Sequence, residues 1–133
     1  MPVDPSTRSE KRRYPRFGFD RRTLLRLPDG NIIQATAHNI SLNGIQIRCD
    51  STRAYLLHSS ERDTGRYNRQ EIDVRIALPL SEGLVEFGAN CQPVYQKVLE
   101  QKLSAFGLRF ATFENNSVQI LNRFVQILSR QRG

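Results

Sequence analysis

Apolar and polar residues alternate along most of this chain, and turn residues interrupt the alternation at short intervals. Ile72, Val74, Ile76, Leu78 and Leu80 alternate without a break, so Glu71–Leu80 reads as the clearest strand, with one face buried and one in water. Ile45, Ile47 and Cys49 alternate with Gln46 and Arg48 in the same way. Ser81-Glu82-Gly83 turns the chain into Val85, Phe87, Ala89 and Cys91. Pro93 then predicts an edge or a bulge, and the strand resumes through Tyr95 and Val98 before a polar turn at Glu100-Gln101-Lys102. Phe106, Leu108 and Phe110 alternate with Gly107 and Arg109 in a last strand. Upstream, Thr23 to Leu27 and Ile32 to Ile40 flank Pro28-Asp29-Gly30-Asn31, a hairpin signal. Proline presets one φ there and glycine accepts a positive one.

The period changes at the C-terminus. Val118, Leu121, Val125 and Leu128 recur at helical spacing, and Ile120, Phe124 and Ile127 widen the apolar face. Asn115-Asn116 offers an N-cap with Gln119 in a capping-box-like position. Arg130 and Arg132 suit the C-terminal end of a helix dipole. The expected fold is therefore mainly β: six short antiparallel strands forming a small barrel, followed by one α-helix that closes an end or packs on the side. The helix is apolar over a wide arc, which leaves a homodimer or partner contact open beside a simple plug. Between the third and fourth strands, residues 50–70 carry no clear period. Arg53, Arg62, Arg66 and Arg69 mix there with Glu61 and Asp63 around a short apolar knot at Tyr55-Leu56-Leu57. This is a long connection of the kind that serves as a partner surface or a ligand cover.

Length and charge narrow the reading. A chain of 133 residues fits one core. A formal net charge of +7 favours an anionic partner, whether nucleic acid, nucleotide or membrane surface. Much of the charge lies in residues 1–22, where Arg8, Lys11, Arg12, Arg13, Arg16, Arg21 and Arg22 face only Asp4, Glu10 and Asp20. Pro2, Pro5 and Pro15 discourage helix there, while Tyr14, Phe17 and Phe19 give the arm apolar anchors. The chain thus divides into a basic arm, 1–22, and a barrel with its helix, 23–133. Cys49 and Cys91 have no CxxC or His/Cys spacing and read as buried free thiols. His38 and His58 have no paired nucleophile or metal cluster, and the carboxylates form no dyad, so an enzyme is not expected. The polar N-terminus and the lack of an apolar run near 18–20 residues argue against a signal peptide or membrane span. A soluble cytoplasmic protein is the default.

Two short motifs carry the candidate chemistry. Arg12 and Arg16 form Arg-x-x-x-Arg ahead of the first strand; Asn39, Ser41 and Gly44 form Asn-x-Ser-x-x-Gly after the second. Guanidinium groups donate paired hydrogen bonds to phosphate and stack on purines. Pro15 favours an extended form, in which a four-residue offset reaches up to about 13 Å. An asparagine side chain offers the donor and the acceptor that a guanine edge requires. A plainer reading has Asn39 and Ser41 capping a turn and Gly44 supplying an unusual φ.

The two motifs in this order, together with the strand order, the Phe106–Phe110 stretch and the final helix, resemble the PilZ domain family over roughly residues 10 to 130. The resemblance implies a six-stranded antiparallel barrel that binds the bacterial second messenger cyclic di-GMP, with no metal or cofactor. It implies that Arg12 and Arg16 grip phosphate and guanine, that Asn39 and Ser41 bond a guanine, and that Gly44 lets the backbone pass close to the ligand. Arg13 would add a phosphate contact. Lys11 holds the place that influences whether one ligand or a stacked pair is bound, and its basic character leans towards a pair. The ligand would order the arm against the barrel and change a surface offered to a downstream protein. Two other readings stand beside this one: a small basic barrel for single-stranded nucleic acid, and a protein-interaction module without a ligand.

Overall fold

The structure, a computed structural model, describes residues 14–53 and 71–132. Expectations for Lys11, Arg12, Arg13 and most of the 50–70 connection lie outside those residues.

Six strands follow one another: β1 (Phe17–Arg26), β2 (Ile32–Ile40), β3 (Gly44–Asp50), β4 (Ile72–Leu80), β5 (Gly83–Glu100) and β6 (Leu103–Phe113). A helix, α1 (Ser117–Arg132), ends the described chain. Every pairing is antiparallel, and the strands close into a barrel in the order β1-β2-β3-β6-β5-β4. In that ring β3 and β4 stand on opposite walls.

The alternation identified in the sequence is the inside–outside alternation of the wall. Ile33, Ala35 and Ala37 of β2, Ile45, Ile47 and Cys49 of β3, and Ile72, Val74, Ile76 and Leu78 of β4 all point into the core. Each large side chain so buried contributes about 1.5–3 kcal/mol. Both cysteines are free and buried, as expected. Gly30 takes φ 96° in the β1–β2 turn, where its amide donates to Leu27 O at 2.9 Å.

One boundary differs from expectation. β1 begins at Phe17, so residues 17–22, assigned to the arm, are barrel wall. Phe17 is 8 % exposed and belongs to the core. A register shift between Gly18 and Arg21 breaks the alternation there, and the charged Asp20-Arg21-Arg22 run disguises what remains. β5 continues past Pro93 through Tyr95 and Val98, as expected, with irregularities in its pairing with β6 at 90/91, 93/95 and 98/100. Pro93 sits at a bulge, as its missing N–H requires.

The helix closes one end of the barrel. Ile120, Leu121 and Phe124 are buried in the common core. Phe124 meets Phe19 of β1 edge-on, with ring centroids 5.2 Å apart, and Arg123 pairs with Glu82 in the β4–β5 turn. The first helical bond runs from Ile120 N to Asn116 O at 3.2 Å. Asn115 just before it takes φ 47°, which asparagine tolerates better than most residues.

Candidate functional site

β1 and β2 bring the motif residues to one place. Phe17 pairs with Ile40 and Gly18 with Asn39, so Arg16 enters β1 beside the end of β2. A register shift between Ala37 and Asn39 resets the alternation, and Asn39 pairs with Gln46 across β3. His38, within that shift, has its Nδ1 3.3 Å from Asp20 Oδ1, a surface hydrogen-bond contact. The side-chain oxygen of Asn39 is buried and has no hydrogen-bond partner among the described residues. Leaving such an acceptor unmet costs about 1–3 kcal/mol.

Ser41 has a different environment. It is 1 % exposed. Its hydroxyl donates to Asn43 Oδ1 at 2.6 Å and accepts from the Asn43 amide at 3.2 Å, while its own amide donates to Gly44 O at 2.9 Å. Ser41 therefore holds the turn on which the motif ends. Gly44 does not supply an unusual φ: among the described residues the glycines with positive φ are Gly30 and Gly83. Its reason is space, since a Cβ at this position would stand 2.5 Å from the Leu108 carbonyl oxygen of β6. Next to it, the Phe110 amide donates to Asn43 O at 3.0 Å and locks the turn against the same strand.

Strand register extends the site across the wall. Asn39 pairs with Gln46, Gln46 with Gly107, and Gly107 with Tyr95, a row running from β2 through β3 and β6 to β5. Adjacent strands lie about 4.8 Å apart, so the row spans about 14 Å. Tyr95 OH accepts a hydrogen bond from Gln46 Nε2 at 2.9 Å and one from Arg16 Nη1 at 3.4 Å. Burial alone would raise this phenol above its ordinary pKa; Gln46, Arg16 and Lys97 together outweigh burial, and the net direction is down. The neighbouring row joins Gly44, Arg109 and Gln92, with Arg109 Nη2 donating to Gln92 Oε1 at 2.6 Å. The next row on the other side joins Thr36, Arg48, Ala105 and Lys97. These three rows and Arg16 carry four cations and no carboxylate, so the wall is a positive surface.

Sequence reasoning named Arg16, Asn39, Ser41 and Gly44, and the fold gathers them at one edge of this wall. It did not name Gln46, Tyr95 or Arg109 as site residues. Gly107 was the available signal, because a glycine inside a strand marks a close approach. Among the described residues no group of three or more His, Cys, Asp or Glu could hold a metal ion, and no helix is long and apolar enough to cross a membrane.

The molecule is a closed six-stranded barrel with a helix packed on it and a positive polar face on one wall. The chain belongs to the PilZ domain family, whose model matches residues 10–126. Solved structures show the same fold at low identity. The Bacillus subtilis inhibitor of motility MotI/DgrA aligns with TM-score 0.65 and 15 % identity over 92 % of this chain and 51 % of its own. The PilZ domain of YcgR from Escherichia coli, solved with c-di-GMP, aligns at 0.59 and 14 % identity, over 92 % of this chain and 94 % of that one. PlzA of Borreliella burgdorferi, in complex with c-di-GMP, aligns at 0.59 and 7 % identity, over 97 % of this chain and 58 % of that one. The chain thus spans about half the length of MotI/DgrA and PlzA. No curated protein matches it in sequence.

Proposed function

We propose that this chain is a binding module for cyclic di-GMP and not an enzyme, and that the ligand lies on the positive wall between Arg16 and Asn39. The observation that carries this reading is the buried Asn39 oxygen without a partner, which lies diagonally across the β1–β2 pair from Arg16, opposite Gly18 two residues further on. A guanine presents N–H donors to such an acceptor, and a phosphate beside it presents acceptors to the guanidinium. Family membership and the c-di-GMP complexes among the structural neighbours support the choice of ligand. Arg12 would join Arg16 on phosphate and guanine, with Arg13 and Lys11 adding positive charge. Ser41 and Gly44 would act by shaping the turn that presents Asn39. On binding, the arm ahead of Phe17 would settle on the wall and alter the surface offered to a downstream protein.

The test is isothermal titration of the purified chain with cyclic di-GMP, with GTP and a short single-stranded RNA as controls. Saturable heat from cyclic di-GMP alone supports the module and gives its stoichiometry, one ligand or a stacked pair. Binding of RNA without cyclic di-GMP would transfer the positive wall to nucleic acid. Hydrogen exchange over residues 1–16, with and without ligand, tests the ordering of the arm.

A further inference from the structure

Tyr95 is seated on Gly107 in an unusual way. A Cβ built on Gly107 would stand 2.1, 2.5 and 2.6 Å from Cε2, Cζ and Cδ2, three consecutive carbons of the tyrosine ring. A point in the ring plane off one carbon would lie about 0.9 Å farther from that carbon's two neighbours. A point directly above the carbon lies only about 0.4 Å farther, given aromatic bonds of about 1.4 Å. The ring therefore lies face-down on the Gly107 backbone, and glycine is the residue that allows it. Its opposite face is turned away from the barrel, in keeping with the 36 % exposure of the residue. Gln46 and Arg16 hold the hydroxyl end in place. The result is a flat aromatic surface, fixed at its seat and at its tip, in the same row as Asn39 and surrounded by cations.

We propose that Tyr95 is a third element of the binding site, a platform on which a purine base of the ligand stacks. This rests on the cyclic di-GMP reading and adds to it the residue that receives the second base of the ligand or the second molecule of a pair. A purine on an aromatic face gains stacking without needing a matched hydrogen-bond pattern. An immobilised ring loses little rotamer freedom when the base arrives. Arg16 links the parts: it touches the Tyr95 hydroxyl from the end of the wall where Asn39 stands.

The experiment compares the full chain with Tyr95→Ala, Tyr95→Phe and Tyr95→Trp by titration with cyclic di-GMP. The platform predicts that Tyr95→Ala weakens binding about 5- to 150-fold, the range of one lost base–aromatic stack. Tyr95→Phe keeps the ring and stays within about 5-fold of wild type, which counts the loss of one hydroxyl contact. The chain has no native tryptophan, so Tyr95→Trp places a single indole on the wall, and stacked guanine would quench its emission as the site fills. Wild-type binding with Tyr95→Ala unchanged overturns the platform and leaves the site reading intact. Equal losses in Tyr95→Ala and Tyr95→Phe also overturn it, because the hydroxyl and not the ring would then be at work. If Tyr95→Ala fails to fold, the indole signal decides: saturable ligand binding without quenching overturns the platform. Absence of cyclic di-GMP binding in the wild-type chain sinks the parent reading instead.

Discussion

Arg16 and Asn39 are 23 positions apart in sequence and lie diagonally across the β1–β2 pair: Asn39 pairs with Gly18, two residues after Arg16. A cation and an unpaired buried acceptor thus stand at one edge of the wall without touching. Loss of the cation removes ligand contacts and leaves the barrel's core untouched. Arg16→Ala should weaken cyclic di-GMP about 10- to 150-fold, the value of one charge-assisted hydrogen bond to phosphate. The circular dichroism melt should stay within a few degrees of wild type. Unchanged affinity with an unchanged melt would remove Arg16 from the site.

Asn39 invites the opposite pattern in stability. Asn39→Ala deletes an acceptor that has no partner in the free protein. The variant should be as stable as wild type or more so by up to about 1 kcal/mol, yet bind cyclic di-GMP at least about 5-fold more weakly. Asn39→Asp keeps the acceptor and should keep binding. Chemical denaturation beside titration separates the two effects, and a destabilised Asn39→Ala that binds normally would contradict the assignment.

Ser41→Ala should act first on the turn. Its hydroxyl is engaged with Asn43, so its loss should cost about 0.5–1.5 kcal/mol of stability and weaken ligand less than Arg16→Ala does. Gly44→Ala should be more damaging, about 1–3 kcal/mol, because the new methyl group meets the Leu108 carbonyl. Urea midpoints rank the two substitutions; a Gly44→Ala midpoint equal to wild type would show that β3 and β6 can part without cost.

The buried thiols set an alkaline limit. Burial pushes Cys49 up to about 11 and Cys91 up to about 12, whereas an unfolded thiol titrates near about 8.5. The folded chain keeps protons that the unfolded chain gives up. The stability this confers is full below the unfolded value and falls as pH rises through the folded values, by a few kcal/mol at most. Urea unfolding from pH 8 to 11 should show the decline, and Cys91→Ala should flatten part of it. Ellman's reagent should label neither thiol in the native protein and both in guanidinium.

Much of the barrel was legible because its walls obey a period of two. Ile72 to Leu80 shows this most plainly: one face is core, so every second residue had to be apolar. The start of β1 was hidden because the register shift after Gly18 breaks that period in a charged stretch. At the candidate site, Arg16 and Asn39 were named from local motifs alone. Gln46, Tyr95 and Arg109 could not be, because their place on the wall depends on pairings between β3, β6 and β5 that join residues up to 65 positions apart. Gly44 was visible but misread in part, since its need for space arises from a carbonyl 64 residues later.

The contact between Phe19 and Phe124 has a mechanical consequence. The β1–β4 ladder covers Thr23–Arg26, with Arg21 Nε donating once more to Ala77 O at 2.8 Å, so ahead of Arg21 the strand pairs with β2 and leans on the helix through Phe19. Arg16 is three residues upstream of that ring on the same length of backbone. A tether gripped at its tip and wedged a short way down has little slack. Arg16 and the sixteen-residue helix are thus joined by three residues of backbone and one ring contact.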